Sequence, residues 1–381
     1  MNPSQSPQQP SSSRQRRAGS DTLSVHSVDE LIAYLPYALG YHPSDELVVV
    51  GMRGKHMEVS ARLPLHAEGE GPQEAPSRAY TAACRGLATM LEVMERNGID
   101  GIHVFAFEDQ LGDSDIMQSA LDEVLERFAI RLRDIQILRA GRRWSPLSLD
   151  VRERVDGISL ESQTHSPAVV AGLVRGRAPL TDRQAVTARV QEDPALSGAV
   201  ATAVESGGLR GRRSDRLWSR VLMPQKGPDR TRGALAGLIP AQVARLLHSL
   251  NDVAWRDALI AWAGPGSLPM DKLDPSVRKR LRTHLPAPPE DPWAVLERLM
   301  EIARHAPRAH PELVAPICSV VGCVAWQLGQ GSTARDAHER ALEAVPEHRL
   351  SLLGLRLVLF GVRPDVPRPG QALGAVDGTA V

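Results

Sequence analysis

The stretch from residue 318 to 348, CSVVGCVAWQLGQGSTARDAHERALEAVPEH, constrains the fold more than any other part of the chain. It reads as two short helices joined at Gly329-Gln330-Gly331, with Ser332 or Thr333 as N-cap of the second. Gly322, Ala334 and Ala341 are small, which lets paired helices approach closely, and Pro346 ends the second helix. LSLLGLRLVLF, residues 350–360, follows as an apolar helix capped by Gly361.

The opening third has a different pattern. Ser27 with Glu30 is a capping-box start. The helix it begins runs through Leu31, Ile32, Leu35 and Leu39 and stops at Gly40, and Pro36 is expected to kink or break it. After the HPSDE turn, ELVVVGM is a short apolar strand suited to the centre of a sheet. MEVSARLPL is a second strand, antiparallel to the first, and residues 67–77 form a loop. A helix over 78–96, the strand GIHVFAFED, a helix over 114–129, a further strand, a turn at Ala140-Gly141 and another strand complete an α-β-β-α-β-α-β-β order. That order predicts an α/β domain with a mixed sheet.

Strands fade after Asp150. SPAVVAGLVRGRAPL predicts a helix and loop, and TDRQAVTARVQED a helix capped by Thr181 and stopped before Pro194. Residues 205–234 read as a Gly- and Arg-rich loop anchored by Trp218. A single strong helix is expected over 240–263, then a proline-broken connection and a helix over 292–305. The predicted organisation is therefore a disordered tail (1–22), an α/β domain (23–150), a helical or irregular connector (151–235), a helical region (236–361) and a second tail (362–381).

Formal net charge is zero, which argues against general affinity for nucleic acid or an anionic membrane. The locally basic run LRGRRSDRLWSR, residues 209–220, has one aromatic and none interleaved, so a solvated loop describes it better than a nucleic-acid site. Three cysteines, Cys84, Cys318 and Cys323, form no close ligand pair; sparse reduced thiols fit the cytoplasm. The polar N-terminus has no apolar signal core, and no run is long enough for a membrane span. No cofactor and no metal are expected, and the foreseen partner is a protein engaging the C-terminal helices.

Candidate ligand groups gather around the first hairpin: His42, Asp45, Arg53 and Arg62. His beside Asp at the end of a buried strand could do acid–base work; the alternative is a polar turn with two solvated arginines. His103 shares a face with Phe105 and Phe107 and reads as a core histidine. Glu108 and Asp109 could offer oxygen ligands to a cation, or simply end a strand in solvent. Gly329 to Thr333 lacks the lysine and the preceding strand of a phosphate loop. No nucleophile elbow, dinucleotide fingerprint or Cys-x-x-Cys is present.

Two resemblances add to this reading. Gly322, Ala334, Ala341 and Pro346 stand at the spacings of a tetratricopeptide helix pair, a module that binds other proteins; a single pair either packs onto the rest of the chain or presents a groove. VDELIAYLPYALGYHPSDELVVVGMRG (28–54), LNDVAWRDALIAW (250–262) and VAWQLGQGSTARDAHERALEAVPEHRLSLLGLRLVLFG (324–361) together make the chain resemble the actinobacterial family called domain of unknown function 4192. In two places it departs from that pattern: Glu46 stands where the family commonly has Ser, and Arg62 runs into Leu63-Pro64 without the family's Asp. The resemblance implies a cytoplasmic protein and transfers no catalytic residue. On these grounds the chain is expected to be a non-catalytic interaction or regulatory protein, with a small-molecule-binding protein or enzyme as the alternative.

Overall fold

The computed structural model describes residues 27–54, 56–66, 76–160, 169–170, 178–207, 214–223, 235 and 237–362. The expected first tail, the second tail beyond Val362, the loop over 67–75 and most of SPAVVAGLVRGRAPL lie outside these residues.

Helix α1 (Val28–Leu39) starts where Ser27 accepts from Glu30 N at 3.1 Å. Pro36 does not break it: the helix continues to Leu39 and ends at Gly40, whose φ of 85° is left-handed. Strands β1 (Glu46–Arg53) and β2 (His56–Pro64) form the antiparallel hairpin. Next come α2 (Pro76–Arg96), β3 (Gly101–Phe107), α3 (Asp115–Leu125), β4 (Arg131–Arg139) and β5 (Arg142–Trp144). Ala140 and Gly141 both have positive φ, as a tight two-residue hairpin turn requires. The sheet order is β2-β1-β3-β4-β5-β6, with only β3 and β4 parallel among its pairs. The sixth strand, β6 (Ile158–Ser159), pairs with β5 past the point where the strand pattern fades.

Alternation along β1 and β3 splits the core in two. Leu47, Val49, Ile102, Val104 and Ala106 pack with α2 and α3 through Leu87, Leu91, Leu121 and Val124. Val48, Val50 and Phe105 pack with α1 through Leu31 and Leu35. His103 points to this second face; its Nδ1 is buried without a hydrogen-bond partner, and burial lowers its pKa.

The rest is helical: α4 (Arg183–Ala188), α5 (Pro194–Glu205), α6 (Asp215–Leu222), α7 (Pro240–Ser249), α8 (Val253–Ala263), α9 (Pro275–His284), α10 (Pro292–Arg304), α11 (Pro311–Gln327), α12 (Gly331–Ala344) and α13 (Arg349–Leu359). Four local expectations change here. Asp182, not Thr181, caps α4, accepting from Ala185 N at 2.7 Å. The helix expected over 240–263 is two helices, because Asp252 turns its carboxylate onto Trp255 N and caps a new one. Part of the predicted Gly/Arg-rich loop is helix α6, though Trp218 is buried as expected, its Nε1 donating to Ser249 Oγ at 2.9 Å. Neither Ser332 nor Thr333 caps α12, which begins at Gly331 behind Gln330.

Helix α11 is the axis of this half: every residue from Leu313 to Ala325 is buried. Cys318 and Cys323 lie on it, and burial pushes their thiols up to about 11 and about 12, so both are inert at neutral pH. Among the described residues the two halves meet at several places, with α4 setting its Val186 into the core beneath α1. Leu180 bridges to Tyr41, with His42 N donating to Leu180 O at 2.9 Å. Arg183 on α4 forms a two-pronged ion pair with Asp336 on α12. Asn97 after α2 donates to Phe360 O at 3.4 Å.

Candidate functional site

The amino end of β1 and the carboxyl ends of β2, β3 and β4 coincide, since Glu46 registers with Pro64 and Phe107. Carboxyl ends of parallel strands are where open α/β sheets place ligands. The four residues singled out around the hairpin divide here. His42, Asp45 and Arg62 belong to this end, and Arg53 to the other. Arg53 is spent on the carbonyls of Asn97 and Gly98, where it closes the end of α2. The side chain of His42 is exposed. Arg62 reaches Glu46 Oε2 at 3.3 Å.

Glu46 is the centre of a buried network that the hairpin pattern did not reveal. Only 3% exposed, it accepts from Tyr41 Oη at 3.0 Å and from Arg62, while its Oε1 is buried with no hydrogen-bond partner. Burial raises its pKa, and the Tyr41 hydroxyl and the Arg62 charge pull it back. Burial also pushes the Tyr41 phenol far up, and the Glu46 charge adds to this. Tyr41 and Glu46 are five residues apart and carry no spacing signal; the turn brings them together.

On the outer side of the same end, Asp45, His66 and Asp113 each offer one ligand atom, all within 4.8 Å of one another. Asp45 has a left-handed φ of 53°, which turns its carboxylate towards His66 Nε2, 3.4 Å away; Asp113 lies 3.6 Å from the same nitrogen. Burial raises the Asp45 pKa, Asp109 and Asp113 add to that, and His66 opposes it. His66 and Asp113 come from separate loops without a motif. Glu108 is not free for a cation: Arg139 Nη1 holds it at 2.6 Å and Ser114 donates to it twice. Asp109 accepts from Ser44 Oγ at 3.0 Å.

A second place stands out in the helical half. On α13, Ser351 and Gly354 are buried, and Leu350 and Val358 pack on the core. Leu352, Leu353, Leu357, Leu359 and Phe360 point outward, between 36% and 58% exposed. At 100° per residue they span a sector of about 160°, with Arg349 and Arg356 in its middle. Trp326 Nε1 donates to Val362 O at 2.8 Å, and with the Asn97 contact this fixes the far end of the helix. Cavities of about 510 Å³ over α9 and about 640 Å³ between the start of α5 and the end of α12 also open in this half.

The model of the family described as domain of unknown function (DUF4192) matches residues 29–365. No curated protein and no solved structure matches the chain. No helix among the described residues is long and apolar enough to cross a membrane.

Proposed function

We propose that this chain, which belongs to the domain of unknown function 4192 family, is a non-catalytic interaction or regulatory protein that docks a partner on its helical half. The observation that carries this is the outward face of α13, five large apolar side chains on one side of a helix tied down at its far end. Contiguous apolar patches beyond a few hundred Å² mark interaction surfaces on soluble proteins. In this reading α11 and α12 form the tetratricopeptide-like pair, packed onto the rest of the chain, and α13 is the docking helix. A cytoplasmic location goes with it, supported by three unpaired cysteines, two of them buried; cell fractionation checks it.

The test is co-purification from native-type extract with the full-length chain and with L353D/L357D, after circular dichroism has established equal helicity. A protein retained by the wild type, absent from the variant, and bound again when purified supports the reading. The same proteins on both, or none on either, rejects it.

One observation favours a second reading, a small ligand or cation at the strand ends: the convergence of Asp45, His66 and Asp113. Mixed carboxylate and imidazole donors suit a borderline divalent ion. Calorimetric titration with Zn²⁺ or Mn²⁺ decides it: heat that is lost in H66A supports it, and no heat in the wild type ends it.

A further inference from the structure

The exposed face of α13 has a composition that restricts what covers it. Around the helix the order is Leu359, Leu352, Arg356, Arg349, Phe360, Leu353, Leu357, all exposed. Two charges, Arg349 and Arg356, sit inside the apolar sector one above the other, not at its rim, and neither makes an ion pair among the described residues. Covering the leucines desolvates both guanidinium groups as well, and a desolvated charge is tolerated only with a counter-charge.

This argues against a second copy of the chain. A two-fold pair of α13 helices centred on the patch would set Arg356 against its own copy, because an isologous interface brings each residue near the axis to its equivalent. Like-charged guanidinium groups would then share one apolar interface. The segments on either side do not suit either: residues 363–381 hold only a few scattered apolar side chains, and residues 1–26 are mostly Ser, Gln, Pro and Arg. Shape narrows the occupant further. The patch is about two turns of helix long, roughly 12 Å, and its ridges of i, i+4 side chains fit the grooves of another helix.

Resting on the interaction reading above, we infer that the outer face of α13 binds an amphipathic helix of another protein, with leucine-like side chains along one stripe and carboxylates facing Arg349 and Arg356. The helix lies along Leu353, Leu357 and Phe360 and takes Arg349 and Arg356 as its ion-pair partners. Its register is set by those pairs and its affinity by the apolar contacts.

The full-length protein is tested with two labelled synthetic peptides by fluorescence anisotropy. Each is a 20-residue helix with leucines at i, i+3, i+4 and i+7; one has glutamates flanking the stripe, the other lysines. The glutamate peptide is expected to bind at least about tenfold tighter, a gap of the size close charge pairs produce. R356E, which leaves Arg349 in place, is expected to remove the preference, R349E/R356E to reverse it, and L353D/L357D to abolish binding of both. Equal binding of the two peptides, or binding indifferent to Leu353 and Leu357, overturns the inference. So does failure of both peptides, or light scattering that finds a dimer dispersed by L353D/L357D. If a cellular partner is still captured through α13 while neither peptide binds, the interaction reading stands and only the helical, acidic character of the partner falls.

Discussion

The imidazole of His338 lies against Gly354, so close that a Cβ on Gly354 would overlap the ring. Gly322 presses from the other side, where a Cβ would come 2.5 Å from Cε1 and Nε2. His338 on α12 is thus the spacer between α11 and α13, and two glycines make room for it. Fully buried, the ring has no hydrogen-bond partner on either nitrogen.

The first prediction concerns that space. G354A forces the ring or the helix to move, and overpacking of this kind costs about 1–3 kcal/mol. Urea denaturation measures it. In an H338A background the space is open, so the same substitution should cost less than half as much. Equal penalties in both backgrounds would show that the glycine matters for another reason.

A second prediction follows from the ring's neutrality. Burial holds the His338 pKa down to about 4, and the nearby His348 adds to this. An unfolded histidine titrates near 6.5, so between those values the unfolded chain binds a proton that the native chain does not. Stability therefore rises with pH through this window; the contribution is complete above 6.5 and is lost as pH falls towards 4. Its full span is on the order of 3 kcal/mol. His103, His305 and His348 shift the same way, so the quantity to read is the difference in slope between wild type and H338N. Stability curves that stay parallel from pH 7 to pH 4.5 would refute it.

The alternation of β1 and β3, the capping Ser27 and the Ala140-Gly141 turn were legible because each is a local signal that tertiary packing reinforces. The buried network was not. Glu46 opens a strand that reads as wholly apolar after it, and a single charge at a strand end ordinarily faces water. It is buried because Tyr41 folds over it and Arg62 crosses from β2, and only the register reveals that. Arg53 misled in the opposite sense: it sits in the same hairpin, but eight residues of extended strand separate the two ends. The break at Asp252 was hidden because the apolar spacing of α7 and α8 runs on across it, and a capping aspartate looks like any polar helix residue.

Glu46 and Arg62 supply the third prediction. R62A leaves a buried carboxylate without its cation, at a cost on the order of 3 kcal/mol. E46Q removes the charge and keeps an acceptor for Tyr41, so at pH 7 it should be neutral or stabilising. E46Q/R62A should lose less than R62A alone. Because the Glu46 pKa is raised in the folded chain, its contribution is full at low pH and declines as pH rises through that value. The margin of E46Q over wild type should accordingly widen with pH. Denaturant midpoints at pH 4 and pH 8 that keep one constant gap between E46Q and wild type would contradict this.

The last prediction concerns how the halves act together. Asp336 is 5% exposed and receives Arg183 through both guanidinium ends and Thr187 Oγ1 at 3.1 Å. Arg183 begins α4, whose Val186 belongs to the core beneath α1, whereas Asp336 lies on α12 beside Ala337 of the helical core. The pair therefore ties two hydrophobic cores that share few other polar links among the described residues. D336A leaves Arg183 charged and half-buried, a loss of roughly 3–5 kcal/mol. Part of it should return in R183L/D336A, where no charge is stranded. Cooperativity is the sharper readout. While the tie holds, one core cannot open without disturbing the other, and calorimetry should give a single transition. Without it the α/β and helical cores should melt separately, and the van't Hoff enthalpy should fall below the calorimetric one. A D336A protein that still melts in one transition with equal enthalpies would mean that the Tyr41–Leu180 bridge and the Asn97–Phe360 contact suffice to couple the halves.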